Sequence, residues 1–452
     1  MKVIYTTHQF LPDYSTGTEI LAYNTAKEFA KRGNEVSVFT ALPLNRTVKG
    51  SGSFDCYEYD GILVDRYYHP SRFSLQPKNA MEAEYNNLFF ADHFRERLSQ
   101  IKPDIVHFYH LQRLSLSAID VCVELKIPTI YTATDFWLMC PATQLLLPDH
   151  SLCLGPNASP ANCLRHMVFI TQGKRMKWIV DRLPEWFLNL FIRLARYSFW
   201  PEQRYLDYVR ALATRPSHVK NRINQLDLVL VTTKFMVEML RRYGLEGGRI
   251  RHLSFGVDNT HVVDVSKRGM EKELRLGFIG TLSYHKGAHV LIEAVRKLSA
   301  DKRFKVKIYG SLEQVPEYAE ILIKIAGDDE RIEFCGTFPH DKIGGVLNGI
   351  DVLIVSSLWY ENTPLVILSA QAARVPVVAT NLGGMNEVVI NGENGFLFEK
   401  GDAAGLAEII STLCNNSSLV ERLSNRARKP KSIPTYADEL EELYSEVMDS
   451  KS

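Results

Sequence analysis

The sequence has no run of about 18 apolar residues that could cross a membrane. Its first residues, Met1-Lys2-Val3-Ile4-Tyr5, lead directly into polar residues, so the apolar core of a secretory leader is also missing. We therefore expect a cytoplasmic protein. Low-complexity, collagen-like and coiled-coil segments are absent as well, and the composition is that of an ordinary globular chain.

Cysteine is scarce, and the net charge is small. Seven cysteines, an odd number in a chain of 452 residues, favour reduced thiols over a disulfide framework. A formal charge of +1 gives no overall attraction to nucleic acid, so we expect no nucleic-acid partner.

Short β-branched runs, such as Leu274–Ile279 and Val352–Val355, alternate with helical patterns in both halves of the chain. The first helical pattern, Thr18 to Arg32, predicts a helix with Thr18 as its N-cap. This alternation predicts parallel strands joined by right-handed crossovers, hence an α/β protein with two facing doubly wound, Rossmann-like domains. The length also favours two domains. We predict an N-terminal domain over residues 1–258, a linker over 259–273 with weak periodicity, and a second domain over 274–433.

Two loops of the second domain have features of ligand-binding loops. Gly280 to Gly287 follows a predicted strand and leads into a helix, so its amides and Lys286 could hold a diphosphate; an ordinary turn with a surface lysine is the alternative. Ser356 to Leu365 follows another strand, and Pro364 suits a first helical turn. Glu361 would then precede a helix start that offers amides to an anionic or hydroxyl-rich ligand, unless it merely caps the helix.

The order of these and later loops resembles that of the family 4, or group 1, retaining glycosyltransferases. In the second half the resemblance covers about 140 residues and includes Pro376–Thr380, Leu382–Glu387 and Asn391–Leu397. In the first half it includes Thr16–Glu19, Asp104–His110 and Phe255–Asp258. The resemblance implies the two-domain GT-B architecture, with a C-terminal helix in 434–452 returning to the N-terminal, acceptor-side domain.

The resemblance also assigns roles to individual residues. It implies Glu361, Lys286 and Asp135 as catalytic residues of a reaction that needs no metal ion or other cofactor, with a nucleotide-sugar as the donor substrate. The donor contacts that it implies are Gly280, Thr281, Lys286, Gly310, Glu361, Asn362, Thr363, Pro364, Leu365 and Ser369. The acceptor-side residues that it implies are Gly17, Thr18, Glu19, His110 and Thr134.

Four positions depart from the family pattern. Ser369 stands where the family has a second acidic residue for the ribose diol, and Thr281 where it has an arginine. Thr134 replaces a histidine that often precedes Asp135, and Thr16 replaces a glycine of the first loop. An inactive or donor-shifted protein is therefore a competing hypothesis.

Two further features lie outside the family pattern. Cys140, Cys153, Cys163 and His166 could close a structural zinc site, or they could be buried free thiols beside a surface histidine. A helical insert over residues 165–222 carries a net charge of +8 and many aromatic residues. It predicts either an interfacial helix on an anionic membrane, with the protein peripheral on the cytoplasmic membrane face, or an insertion packed on its own domain.

The leading hypothesis is a retaining hexosyltransferase-type enzyme that moves a sugar from a nucleotide-diphosphate donor to a glycan or lipid-linked acceptor, as in polysaccharide biosynthesis. The alternatives are a catalytically impaired scaffold that binds a sugar nucleotide, suggested by Thr134, Thr281 and Ser369, and a nucleotide-sugar epimerase on the same fold.

Overall fold

The computed structural model describes residues 1–42, 53–68, 77–156, 160–196, 204–260, 262, 264–265, 273–299 and 302–451, with the backbone alone at 169–177, 204 and 205. The chain divides into two units. The first unit consists of Met1–Thr232, Met236–Ser254 and Pro434–Ser452, and the second of Thr233–Phe235 and Phe255–Ile433. The predicted linker 259–273 falls within the second unit, although 261, 263 and 266–272 lie outside the described residues.

The first unit is built on one sheet, whose described strands are β1 Lys2–Thr6, β2 Glu35–Ala41, β3 Phe54–Tyr59, β4 Ile62–Tyr67, β5 Ile105–Phe108, β6 Thr129–Thr132, β7 Leu228–Val231 and β8 Ile250–His252. Their spatial order is β3-β4-β2-β1-β5-β6-β7-β8, parallel except for the β3–β4 pair. Strands β5, β6 and β7 are buried along their whole length, as expected for a sheet covered on both faces.

The second unit also has one sheet, with strands β9 Leu274–Ile279, β10 Phe304–Tyr309, β11 Ile332–Gly336, β12 Val352–Val355, β13 Val377–Thr380 and β14 Gly395–Phe398. The described strands are all parallel, in the order β11-β10-β9-β12-β13-β14. Each unit therefore has the predicted doubly wound, Rossmann-like architecture. Strand order reverses beside β1 in the first unit and between β9 and β12 in the second, and ligands of open α/β sheets bind at such points.

Helices follow most of the strands. Up to residue 242 they are α1 Gly17–Lys31, α2 Ala80–Ala83, α3 Leu88–Ile101, α4 Ser117–Glu124, α5 Ala161–Arg182, α6 Glu185–Ala195, α7 Arg204–Ile223 and α8 Lys234–Arg242. Later helices are α9 Ala288–Lys297, α10 Pro316–Ala326, α11 Ile343–Asn348, α12 Leu365–Ala372, α13 Met385–Val388, α14 Ala403–Cys414, α15 Ser417–Asn425 and α16 Ile433–Asp449. Among the described residues, no helix is both long and apolar enough to cross a membrane.

The C-terminal helix α16 packs within the first unit through a buried polar contact. The Tyr444 hydroxyl lies 2.6 Å from Nδ1 of His107 on β5, and Nε2 of His107 lies 2.7 Å from the Thr132 hydroxyl on β6. Burial lowers the pKa of His107 to about 3, so the imidazole is neutral at physiological pH. Both of its ring nitrogens therefore depend on partners from other elements.

We expect Tyr444→Phe to weaken the first unit by about 1–2 kcal/mol, because it leaves Nδ1 of His107 buried without its partner. Equilibrium urea unfolding followed by circular dichroism measures the loss. Glu442→Gln, at an exposed position of the same helix, is the matched control, with an expected change within about 0.5 kcal/mol. Equal stability of Tyr444→Phe and the parent chain would contradict the role given to this contact.

Candidate active site

The centre of the predicted donor loop is the carboxylate of Glu361, between β12 and α12. Its Oε1 atom accepts three hydrogen bonds, from Lys286 Nζ at 2.7 Å, Ser357 Oγ at 2.8 Å and Trp359 Nε1 at 2.8 Å. Burial opposes ionisation of Glu361, but the charge of Lys286 and these hydrogen bonds outweigh it and lower the pKa of Glu361. Glu361 is therefore ionised, and its three hydrogen bonds fix the orientation of the carboxylate.

Trp359 also contacts the cation that faces Glu361. Lys286 Nζ lies 5.0 Å from the centre of the Trp359 ring, within the range of a cation–π interaction. The His285 ring packs edge-on against the same indole, with ring centres 4.9 Å apart. Sequence reasoning placed Trp359 and Ser357 in the donor loop but did not predict the bond that each donates to Glu361.

Close backbone contacts join the loop after β9 to the loop after β12. Gly287 has a left-handed φ of 73°, and a Cβ atom there would lie 1.9 Å from the Ser356 carbonyl oxygen. Ser356 Oγ donates to the Gly287 carbonyl at 2.8 Å, and the Leu358 amide donates to the His285 carbonyl at 2.8 Å. Only glycine fits at position 287. Gly287, which follows Lys286, therefore allows the two loops to approach this closely.

The loop after β13 approaches the other side of Glu361. The Gly384 amide donates to the Glu361 carbonyl at 2.8 Å, and a Cβ atom on Gly384 would lie 1.4 Å from the Asn362 carbonyl oxygen. Three loops, after β9, β12 and β13, therefore meet at the carboxyl ends of neighbouring strands. This is the edge where the reversal of strand order predicts a ligand.

The other predicted donor residues occupy these loops or the elements beside them. The Gly280 amide donates to the Tyr309 carbonyl at 3.0 Å, and the Gly310 amide to the Gly336 carbonyl at 2.9 Å, so both belong to turns that leave the sheet. Thr281 accepts a backbone bond from Ser283 within the same loop. Asn362 and Thr363, which follow Glu361 in the sequence, are buried, and Ser369 is buried within α12.

The start of α12 differs slightly from the prediction. The helix begins at Leu365, and Pro364 is the capping residue with φ −62° and ψ 118°, not a residue of the first turn. The clash of a proline ring with the preceding residue explains why Thr363 stays outside the helix. Glu361, Asn362 and Thr363 still precede the helix start, as predicted.

In the first unit, His110 and Asp135 form the core of the predicted acceptor side. Nε2 of His110 lies 2.9 Å from Oδ2 of Asp135, while Nδ1 accepts the Gln112 amide at 3.0 Å. Because Nδ1 is an acceptor, the proton of the neutral ring lies on Nε2 and is donated to Asp135. Oδ1 of Asp135 accepts the Trp137 amide at 2.9 Å, so the carboxylate is held as well.

The first loop corrects one prediction, the position of the helix cap. Helix α1 begins at Gly17 with Thr16 as its capping residue, so Thr18, the residue that the pattern suggested as the cap, lies inside the first turn. The Thr16 amide donates to Oε2 of Glu19 at 3.0 Å, and the Thr16 hydroxyl bonds to the same oxygen, as in a capping box. Thr16, a departure from the family pattern, thus has a structural role.

Glu19 also has a partner that the sequence did not reveal. Nε2 of His8, in the loop after β1, lies 3.5 Å from Oε1 of Glu19, and the His8 ring centre is 4.3 Å from that of His110. Burial raises the pKa of Glu19, and burial together with nearby His110 and Arg113 lowers the pKa of His8. His8 escapes motif reasoning because no spacing rule relates it to residues 19 and 110.

Thr134 stands where the family has a histidine. Its hydroxyl donates to the Tyr109 carbonyl at 3.2 Å, so it bonds to the backbone next to His110. His110, which lies beside Asp135, comes from the loop after β5, whereas Thr134 follows β6. An imidazole is thus present beside Asp135, supplied from a different loop.

Of the cysteines in the predicted zinc site, Cys140 and Cys163 are buried free thiols and Cys153 is a half-buried one. Cys140, Cys153, Cys163 and His166 do line one cavity, and the Cys153 sulfur accepts the Gly155 amide at 3.3 Å. Yet no three His, Cys, Asp or Glu side chains of the described residues are arranged to hold a metal ion. The geometry therefore does not support the zinc hypothesis: a shared cavity does not bring the ligand atoms to a common centre. Burial raises the pKa of the Cys140 and Cys163 thiols.

We expect Lys286→Met to destabilise the second unit by about 1–3 kcal/mol at pH 7, because it leaves the Glu361 carboxylate buried without its cation. In the parent chain, Glu361 has a lowered pKa, so its ionised form stabilises the fold at pH values above the ordinary pKa of a glutamate. This contribution disappears as the pH falls through the lowered pKa. In the variant, burial favours the protonated form, so acid relieves the penalty.

The loss caused by Lys286→Met should therefore shrink when urea unfolding is repeated at about pH 4.5. Lys297→Met, at an exposed position of α9, is the matched control and should change stability little at either pH. A loss that is independent of pH would show that Lys286 acts through packing and not through the charge of Glu361.

Two family models match the chain. The model described as glycosyl transferases group 1 matches residues 264–430, and the model described as glycosyltransferase family 4 matches residues 15–172. The first range contains the loops around Glu361, and the second contains Glu19, His110 and Asp135.

Curated relatives match over part of their length. The chain is 29% identical over 244 residues to a D-inositol 3-phosphate glycosyltransferase from Corynebacterium efficiens, covering 50% of this chain and 57% of that protein. It is 30% identical over 201 residues to the capsular polysaccharide biosynthesis glycosyltransferase CapM from Staphylococcus aureus, covering 41% and 48%. The matched region thus spans about half the length of these relatives.

Solved structures match over nearly the whole chain. A sucrose-phosphate synthase from Thermosynechococcus elongatus has a TM-score of 0.68 at 16% identity, covering 99% of both chains. Anabaena Alr3699/HepE, in complex with UDP and glucose, has a TM-score of 0.64 at 16% identity, covering 98% of this chain and 99% of that one. These likenesses confirm the predicted GT-B fold.

Proposed function

Since the chain belongs to the family 4, or group 1, glycosyltransferases, we propose that it transfers a sugar from a nucleoside diphosphate to a glycan or a lipid-linked acceptor. The proposal includes retention of the anomeric configuration and a hexosyl donor. The observation that carries it is the ion pair between half-buried Lys286 and buried Glu361, at the edge of the sheet where strand order reverses. With a lipid-linked acceptor, the chain would work at the cytoplasmic face of a membrane.

Lys286 supplies the charge that this reaction needs. Departure of a nucleoside diphosphate builds negative charge on the phosphate oxygens, and a preplaced cation stabilises that charge as it forms. The helix start at Leu365, which follows Glu361 by four residues, offers backbone amides to the same ligand. No metal ion is needed in this proposal, because the lysine and the amides supply the positive potential.

Glu361 suits the binding of sugar hydroxyls better than nucleophilic attack. Its Oε1 already accepts three hydrogen bonds, and its pKa is lowered, so it is a weak base fixed in one orientation. A fixed carboxylate accepts strong hydrogen bonds from hydroxyl groups. We therefore assign Glu361 to orienting the transferred sugar, and we assign Asp135 with His110 to the acceptor.

The relatives support a nucleotide-sugar donor but do not choose the sugar. HepE was solved with UDP and glucose, and other relatives are named for polysaccharide biosynthesis or for inositol phosphate. The intact Lys286–Glu361 pair favours an enzyme over an impaired scaffold, and both family models are those of glycosyltransferases and not of epimerases.

The test is turnover of a panel of UDP-, GDP- and ADP-sugars, in which we expect release of the nucleoside diphosphate from at least one donor. Glu361→Gln, which keeps the shape but removes the charge, should lower this rate by about 10²–10³-fold. Glu408→Gln, at an exposed position of α14, is the control and should turn over like the parent.

The anomeric configuration of the product, read by NMR, tests retention separately. Nucleotide-sugar binding without release by the parent chain would favour the scaffold, and conversion of the sugar while it stays on the nucleotide would favour the epimerase. Full activity of Glu361→Gln would overturn the role of the carboxylate even if the chain is a glycosyltransferase.

Ser369 gives an independent prediction about the nucleotide. If the donor ribose lies against α12, Ser369→Glu should preserve or tighten donor binding by up to about tenfold, because a carboxylate accepts charge-assisted bonds from the diol. Ser369→Ala is the matched variant and should change binding less than threefold, by about 0.5 kcal/mol. Calorimetric titration with the active donor measures both, and circular dichroism confirms folding. Weaker binding by a folded Ser369→Glu chain would contradict this placement of the ribose.

A further inference from the structure

Helix α6 is apolar on two opposite faces. One face buries Leu188, Ile192 and Ala195 within the first unit. The other carries Trp186, Phe187, Leu190 and Leu194, which are 68%, 42%, 47% and 43% exposed. At about 100° per residue, these four positions span an arc of about 100°, so they form one continuous stripe. The packed-insertion interpretation therefore accounts for one face and leaves the other open.

The end of α5, the preceding helix, also exposes apolar side chains. Trp178 and Ile179 are 59% and 46% exposed, although Val180 beside them is buried. Six of the fourteen large apolar side chains recorded as strongly exposed in the described residues thus fall between positions 178 and 194. Six exposed apolar side chains within 17 residues, four of them on one face of α6, mark an interaction surface, since single exposed apolar residues are normal but such groups are not. We call Trp178, Ile179, Trp186, Phe187, Leu190 and Leu194 the apolar stripe.

Exposed cations accompany the apolar stripe. Arg182 lies over the Trp178 ring, with its guanidinium carbon 3.7 Å from the ring centre, and Arg193 and Arg196 are exposed at the end of α6. The insert 165–222 has a net charge of +8, against +1 for the whole chain. Lys174, Arg175 and Lys177 contribute to that charge, and their side chains lie outside the description.

We propose that the apolar stripe docks on the surface of an anionic phospholipid bilayer. A helix that lies in the membrane interface typically carries tryptophan and leucine on one face and arginine at the edge of that face. The cations select acidic headgroups, each adding about fivefold to the affinity. The proposal goes beyond the sugar-transfer function, because docking requires neither donor nor acceptor.

Charge argues against a second copy of this chain as the occupant. Two apolar stripes placed face to face would bring the exposed arginines beside them, Arg182 and Arg193, near those of a second copy, and the like charges would repel. A bilayer rich in acidic headgroups has the opposite sign and accepts the indole rings at headgroup depth. The observed combination of apolar and basic residues thus fits an anionic bilayer.

Flotation with vesicles tests the proposal on the full chain. We expect the chain to float with vesicles of phosphatidylcholine and phosphatidylglycerol in equal amounts, and to stay in solution with phosphatidylcholine alone. The bound fraction should fall at high salt, since screening weakens the attraction of the arginines. Failure to float with the anionic vesicles would overturn the proposal.

The variants separate the apolar and charged contributions. Trp186→Ser, Leu190→Ser and Leu194→Ser together should reduce binding at least tenfold, because they remove the groups that enter the interface. Ile321→Ser with Ile323→Ser, at 49% and 51% exposed positions of α10, is the matched control and should bind as the parent does. Equal loss in both sets would show that general hydrophobicity, and not the apolar stripe, drives binding.

The double variant Arg182→Gln with Arg193→Gln leaves the apolar stripe unchanged. It should weaken binding about fivefold for each charge removed. Thermal melting and donor binding check that every variant is folded, so a defect in sugar transfer and a defect in docking give different results. Concentration-dependent dimers in light scattering that disappear with the triple serine variant would assign the apolar stripe to a second copy and overturn the proposal.

Discussion

The ion pair between Lys286 and Glu361 is the interaction on which the donor side of this protein depends. It joins residues 75 positions apart, from the loops after β9 and β12, at the reversal of strand order. A buried ion pair adds little stability compared with apolar packing, and either charge alone would be costly. Under the proposed function, the value of this pair lies in ligand binding: it keeps a cation and an ionised carboxylate ready at one edge of the sheet.

The backbone around the pair is fixed without help from a ligand. Gly287 and Gly384 each bring a loop into contact with the backbone on either side of Glu361, at distances that a Cβ atom would prevent. Hydrogen bonds from Ser356 and Leu358 close the first of these contacts. Because the positions of the three loops are set by backbone contacts, the side chains at their tips can change without loss of the framework. This separation of framework from ligand contact is what a family with many donors and acceptors requires.

The sequence predicted what local patterns determine. Strands such as Leu274–Ile279 and Val352–Val355 were predicted with their exact bounds, because apolar β-branched runs between helices have few other interpretations. Contacts between side chains were not predicted. The bond from Trp359 to Glu361 and the approach of His8 to Glu19 depend on how loops pack, and the cysteine spacing could not tell a shared cavity from a metal centre. The cap at Thr16 was missed because threonine at 16 and at 18 are equally good signals.

The departures from the family pattern lie mainly where a ligand would be contacted, and the framework absorbs them. Thr16 caps α1 through Glu19, and Thr134 bonds to the backbone beside His110, while Asp135 keeps an imidazole partner in His110. Ser369 is accommodated inside α12. A chain that had lost its ligand would have no physical need for a buried carboxylate with three donors on one oxygen, since apolar residues would pack at lower cost. The pattern of retained and changed residues therefore argues for altered specificity of a working site more than for its loss.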